Sequence, residues 1–391
     1  MNRILSLLAG IGICLSAAAQ APADLYYTVQ NGTHVTVYNA NNGTNYTLNG
    51  YARNIGIDNN HNVYVLVGDG KDLGVNYTVY KNGKVYQKLQ SDSEKQFYTS
   101  MAMKVVGNDV VVAGVESKEF NKKGYESRQI GYVNCIRIYQ TDWDRKSLKR
   151  DHFGGYREVK GSGTSARLEP VGGYNALKID PTSIVYYVTA VDYVDGFIYT
   201  TGWGEREYTE TPLGYVKQYL VRRCPRVWKN GKEIVKQYEN RTGAAYSINV
   251  MRNGKNILTS GHLRGHICGW DGNKDMLVDD EPNRRIIKEA VLYNGMVDGA
   301  PLFTRMIVDN AGLLYMVNTG KNGNQKPDYL FSNIVDVVVV GKDFYALSER
   351  NDKIYRFSCS NWMLGDDYDR NTVKVIEKPQ GGEYTLLAVH K

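Results

Sequence analysis

The chain has 391 residues with 48 Lys and Arg against 41 Asp and Glu, a formal net charge of +7. The excess is mild, and the basic runs (Arg145-Lys146, Lys149-Arg150, Arg222-Arg223, Arg284-Arg285) lie beside acidic residues or in turn-rich segments, so no nucleic-acid partner is expected. After the N-terminus no run approaches the roughly 18 uncharged apolar residues of a spanning helix, so no membrane span is expected either.

Residues 1–19 read MNRILSLLAGIGICLSAAA: one basic residue, a short apolar stretch, then small residues ending Ala17-Ala18-Ala19. That is the pattern of a secretory signal peptide cleaved near Ala19, and it predicts an exported protein, whether periplasmic, cell-surface or extracellular. Cys14 follows Ile13 where a lipoprotein signal needs a small residue, which argues against a lipid anchor. The remaining cysteines, Cys135, Cys224, Cys268 and Cys359, are far apart and irregularly spaced. They allow three disulfide pairings, and a chain this long can bury a core without any of them.

Residues 20–391 read as one domain of repeated hairpins. Six segments each consist of a β-rich run, a turn of Asn, Asp or Gly, and a second β-rich run: 55–68, 101–114, 188–202, 248–261, 305–320 and 337–349. A second phrase follows them: VYKNGKVYQKL near residue 80 and VWKNGKEIVKQY near residue 228. In these, Asn82-Gly83 and Asn230-Gly231 mark two-residue hairpin tips. AVLYNGMVDGAPLF (290–303) is similar, and 135–150 and 354–378 are looser versions. The unit is four strands, a to d, with tight a–b and c–d turns. Repeated four-stranded antiparallel sheets predict an all-β fold, a β-propeller. Residues 24–48 supply three strands without an a strand, and 383–391 supply one strand without partners, so the two ends are expected to share a blade. The count is then seven blades. Six is the alternative, because 327–334 must serve as strand c of the sixth hairpin region with no d strand before Val337.

The segments VVVAG (110–114) and VWKNG (227–231) resemble the VYVAG and WKNG repeats of secreted bacterial β-propeller proteins, most of them uncharacterised. The resemblance covers the repeats and implies fold and export. It assigns no catalytic residue.

Length is expected to gather on one face. The b–c connections are read as 115–131, 203–221 and 262–288, and the longest d–a link as 151–187; both classes of link open on the same side of the ring. In those loops GWGEREY offers Trp203, Glu205 and Arg206, where an indole and nearby charges could stack on and hydrogen-bond a polar ligand. GHLRGHICGWDG adds His262, Arg264 and Trp270. His262, His266 and Cys268 match no zinc spacing and would span roughly 20 Å along an extended strand. WDGNKDM opens like a calcium loop, but Met276 stands where Gly is required and Pro282 where the bidentate Glu should fall. No catalytic motif, cofactor or metal site is expected. The expectation is therefore a monomeric, non-enzymatic binding protein for a glycan, peptide or partner protein. The alternative is a glycosidase- or lyase-like enzyme with carboxylates or histidines at the channel mouth.

Overall fold

Runs of Val, Tyr and Thr interrupted by Asn-Gly and Asp-Gly pairs favour short pleated strands and tight turns. The computed structural model is assembled from such pieces. It describes residues 23–391 except 72–75, 91–95, 121–123, 147–155, 160–166, 171–185, 211–217, 237–242, 253–254, 264–265, 273, 279–283, 298–299, 320–327 and 360–367.

Seven four-stranded antiparallel sheets form the blades of a β-propeller. The a strands of successive blades touch one another all the way round and make the inner ring. Blade 1 combines both chain regions: a is Glu383–His390, b Asp24–Asn31, c His34–Asn39 and d Asn45–Asn49. Blade 2 runs Tyr51–Ile57, Val63–Gly68, Tyr77–Lys81 and Lys84–Leu89. Blade 3 runs Gln96–Val106, Asp109–Phe120, Gly124–Val133 and Ile136–Gln140, with Asp144–Lys146 also on strand c. Blade 4 runs Tyr186–Val194, Phe197–Glu210, Gln218–Lys229 and Lys232–Lys236. Blade 5 runs Gly243–Val250, Ile257–Leu263, His266–Asp271 and Lys274–Val278. Blade 6 runs Ile286–Val297, Ala300–Asp309, Leu314–Thr319 and Asp328–Phe331. Blade 7 runs Ile334–Val340, Asp343–Ser348, Lys353–Cys359 and Tyr368–Val375. A separate hairpin, Tyr156–Val159 with Arg167–Pro170, lies in the link between blades 3 and 4.

The blade count and the shared terminal blade match the sequence reading, but several strand assignments change. Residues 115–131 and 203–221 are mostly strand: the b and c strands of blades 3 and 4 continue into long ribbons. Residues 262–288 hold strands c and d of blade 5, so 290–303 is the a–b hairpin of blade 6 and 305–320 its b–c hairpin. Strand c of blade 3 lies upstream of 135–150, and Asp328–Phe331 is a d strand, which completes the blade that had none.

Apolar side chains fill the space between neighbouring blades. Val35, Val37 and Leu48 of blade 1 meet Val63, Val65 and Val67 of blade 2; Val111 and Ala113 of blade 3 meet Val188 and Ile198 of blade 4. Similar layers occupy the other five interfaces. The repeated Asn of the c–d turns has a defined task. Asn82 and Asn230 adopt positive φ (50° and 46°), and their Oδ1 atoms accept the amides of Val63 and Ile198 at 2.8 and 2.9 Å. Each thereby ties its c–d turn to the start of strand b. Asn134 (φ 49°) does the same for Val110 at 2.8 Å in blade 3, without the Gly.

Among the described residues Cys135 is exposed, and Cys224 and Cys268 are buried. No helix is long and apolar enough to cross a membrane among the described residues.

Candidate functional site

A β-bulge interrupts strand a near its first residues in every blade, so that Arg53, Thr99, Thr189, Tyr246, Ile287, Val335 and Thr385 are skipped in the register with strand b. A bulge re-aims side chains at a sheet edge, and here it does so at the b–c/d–a end of the inner ring. In blades 4 and 5 the backbone crowds at this point. A Cβ on Gly202 would meet the Tyr187 carbonyl oxygen at 1.8 Å, and one on Gly261 the Ala244 carbonyl oxygen at 2.0 Å. Only glycine fits, and the next residue of each strand carries an aromatic ring.

Those rings form two pairs. Trp203 stacks on Tyr187, its cross-strand partner, with centroids 5.1 Å apart and planes within 2°. His262 stacks on the bulged Tyr246 at 5.7 Å and 20°. All four are half-buried. The pairs are neighbours: Thr189 Oγ1 donates to the Ala245 carbonyl at 2.6 Å, joining the two blades between them. The Arg285 guanidinium, exposed on the link into blade 6, sits 5.9 Å from the Tyr246 ring centre. Burial, reinforced by the Arg285 charge, holds His262 below the usual imidazole range, so its ring is neutral near pH 7. Its Nδ1 is buried and unpartnered.

Of the six residues singled out in the sequence, Trp203 and His262 thus belong to adjoining pairs. Trp270 does not join them: it is fully buried and packs with Ala245, Leu263 and Cys268. Glu205 and Arg206 continue strand b opposite Arg223 and Arg222, and their side chains lie outside the described residues, as does Arg264 altogether. Tyr187, Tyr246 and Arg285 were missed. A usable signal existed, because each tyrosine lies sixteen residues upstream of its ring partner (187 to 203, 246 to 262). The turn between strands b and c does bring His266 back beside His262. Register pairs His262 with Ile267 and His266 with Leu263, however, so alternation puts the two imidazoles on opposite sides of the sheet.

The inner ring also carries carboxylates, each committed to an interblade contact. Asp192 accepts the Val250 amide at 2.7 Å and pairs with Lys104 at 2.7 Å. Asp336 accepts the Leu387 amide at 2.9 Å, and its burial pushes the carboxyl up against the opposing pull of Lys288. Glu289 accepts the Ser247 hydroxyl of blade 5 at 2.9 Å and within its own blade holds Arg305 at 2.5 Å, with both side chains of that pair fully buried.

No family model matches the chain. No curated protein matches it either. Among solved structures it is similar to the β-propeller domain of the Trilobed protease from Pyrococcus furiosus (12% identity, 91% of this chain and 96% of that one, TM-score 0.38). It is also similar to Sqt1 of Saccharomyces cerevisiae (10% identity, 86% and 80%, TM-score 0.40) and to the extracellular domains 1–2 of Drosophila Semaphorin 1a (8% identity, 84% and 85%, TM-score 0.38).

Proposed function

We propose that the protein is an exported, non-enzymatic binding propeller whose b–c/d–a face takes a glycan at the Tyr187–Trp203 and Tyr246–His262 pairs. The observation that carries this reading is the placement of two half-buried stacked aromatic pairs in adjoining blades, joined by the Thr189–Ala245 hydrogen bond. Sugar rings present C–H faces that pack on aromatic planes and hydroxyls that need polar partners. His262 Nδ1 offers an unsatisfied acceptor or donor, and Arg285 adds a planar cation suited to a carboxylated sugar. Export rests on the leader-like residues 1–19. The glycosidase- or lyase-like alternative needs two free carboxylates at this mouth, whereas Asp192, Glu289 and Asp336 are engaged between blades. A peptide or partner protein would use the same face.

The test is a glycan array probed with the purified chain and with Trp203→Ala and His262→Ala. Each substitution is expected to weaken the best glycan by about fivefold, the loss of roughly 1 kcal/mol of stacking, with the melting temperature little changed. Glycan binding that both variants retain in full would overturn the placement.

A further inference from the structure

On the opposite face, where the ring closes, three segments far apart in sequence converge. Asp24 is the first residue of strand b of blade 1 and His390 the last of strand a, and they are cross-strand partners. His61 belongs to the a–b turn of blade 2. Its Nδ1 lies 2.5 Å from Asp24 Oδ2, and its ring meets the His390 ring edge-on at 5.0 Å. One ligand-type atom from each of the three residues lies within 4.8 Å of the other two.

Two further observations set this cluster apart from a surface ion pair. His390 Nδ1 is buried and has no hydrogen-bond partner. His61 is held in place by left-handed backbone (φ 62°), an unusual conformation for a residue other than glycine. The turn that enforces it is anchored by Asp58, whose Oδ1 accepts the amides of Asn60 and Asn62 at 2.9 and 2.8 Å and whose Oδ2 accepts the Tyr64 hydroxyl at 3.1 Å.

We infer that Asp24, His61 and His390 form a binding site for a zinc-class divalent cation that staples the closure of the ring. Two imidazoles and one carboxylate are a donor set for zinc and its first-row neighbours, and a fourth position stays open to water. Bonds of about 2.1 Å place tetrahedral ligand atoms about 3.4 Å apart. The present spread of up to 4.8 Å closes to that by side-chain rotation, while the 2.5 Å Asp24–His61 contact opens to admit the ion. The three ligands come from both terminal strands and the neighbouring blade, so the site exists only when the ring is shut. A cation bound there stabilises the closed state by mass action. No sequence motif announces the cluster, since its members lie near residues 24, 61 and 390.

The test uses the untagged chain, titrated with zinc chloride in a calorimeter, melted with and without zinc, and loaded with cobalt(II) for its visible spectrum. The expected result is one equivalent of zinc per chain and, at a hundredfold excess over Kd, a melting temperature raised by about 3 °C for a domain of this size. His61→Asn keeps a residue that tolerates left-handed backbone, and His390→Gln keeps a polar side chain of similar reach. Each is expected to lower zinc affinity at least tenfold and to abolish the cobalt spectrum. His34→Gln, on the other face of blade 1, is expected to bind as the unaltered chain does. An unaltered chain that binds no zinc, or variants that bind one equivalent as tightly as it does, would overturn the inference.

Discussion

The two faces of the ring are built differently. On the a–b/c–d face the connections are mostly short and closed by side chains: Asn82, Asn134 and Asn230 reach from the c–d turn back to the start of strand b, and Asp58 anchors the turn that carries His61. On the b–c/d–a face the strands of blades 3 and 4 run on into ribbons, and the inner ring ends in bulges and aromatic pairs. The first arrangement fixes backbone; the second presents side chains. A change on the first face should therefore register in stability, and a change on the second in affinity.

The most severe way to break this division is to remove residues 383–391. Tyr384, Leu386 and Leu387 are buried, at ~1.5–3 kcal/mol each, and the Leu387 amide is the partner of Asp336 in blade 7. Without that strand blade 1 has an unpaired inner edge. Loss of a single cooperative melt is expected, followed by circular dichroism; an unchanged melt would mean that the ends do not close the ring.

A smaller break is Asn230→Ala with Gly231→Ala. Both positions have positive φ (46° and 78°), which costs about 1–2 kcal/mol for an alanine, and the cap on the Ile198 amide is lost as well. In addition, a Cβ on Gly231 would meet Thr141 Cγ2 at 2.5 Å. The expected outcome is a destabilisation of roughly 3 kcal/mol in urea melts with glycan affinity unchanged; lost binding at full stability would contradict the division of faces.

This division also explains what the sequence discloses. Asn-Gly demands positive φ wherever it occurs, so the c–d turns of blades 2 and 4 can be read locally, whereas Asn134 performs the same task before Cys135 and is not recognised. Blade 6 shows the limit. Asp309 accepts the amides of Ala311 and Leu313 as Asp58 accepts those of Asn60 and Asn62, and each has a tyrosine six residues on. Yet Asp58 closes an a–b turn and Asp309 a b–c turn on the other face. Turn chemistry specifies a hairpin without specifying its place in the sheet. The aromatic pairs were half legible for a related reason. Trp203 and His262 follow telltale glycines, but their partners are set by register and by the bulge, which require the assembled sheet.

The mildest probe separates the faces by pH. Burial raises the Asp58 carboxyl, but hydrogen bonds from Asn62, Tyr64 and Asn60 outweigh it and hold the group below its ordinary range. A carboxyl depressed in the folded state contributes stability that is present above about pH 4 and lost as pH falls further. His262 is depressed by burial and by Arg285, so the folded state resists a proton that the unfolded chain accepts. Its contribution is full at pH 8 and declines as pH drops through about 6.5. The unaltered chain is therefore expected to lose melting temperature relative to His262→Gln between pH 8 and pH 5, where the difference between it and Asp58→Ala stays constant. Below about pH 4 the Asp58→Ala difference should shrink in turn. Two windows that coincide would show that the turn and the aromatic mouth are not electrostatically independent, and that the two faces act as one unit.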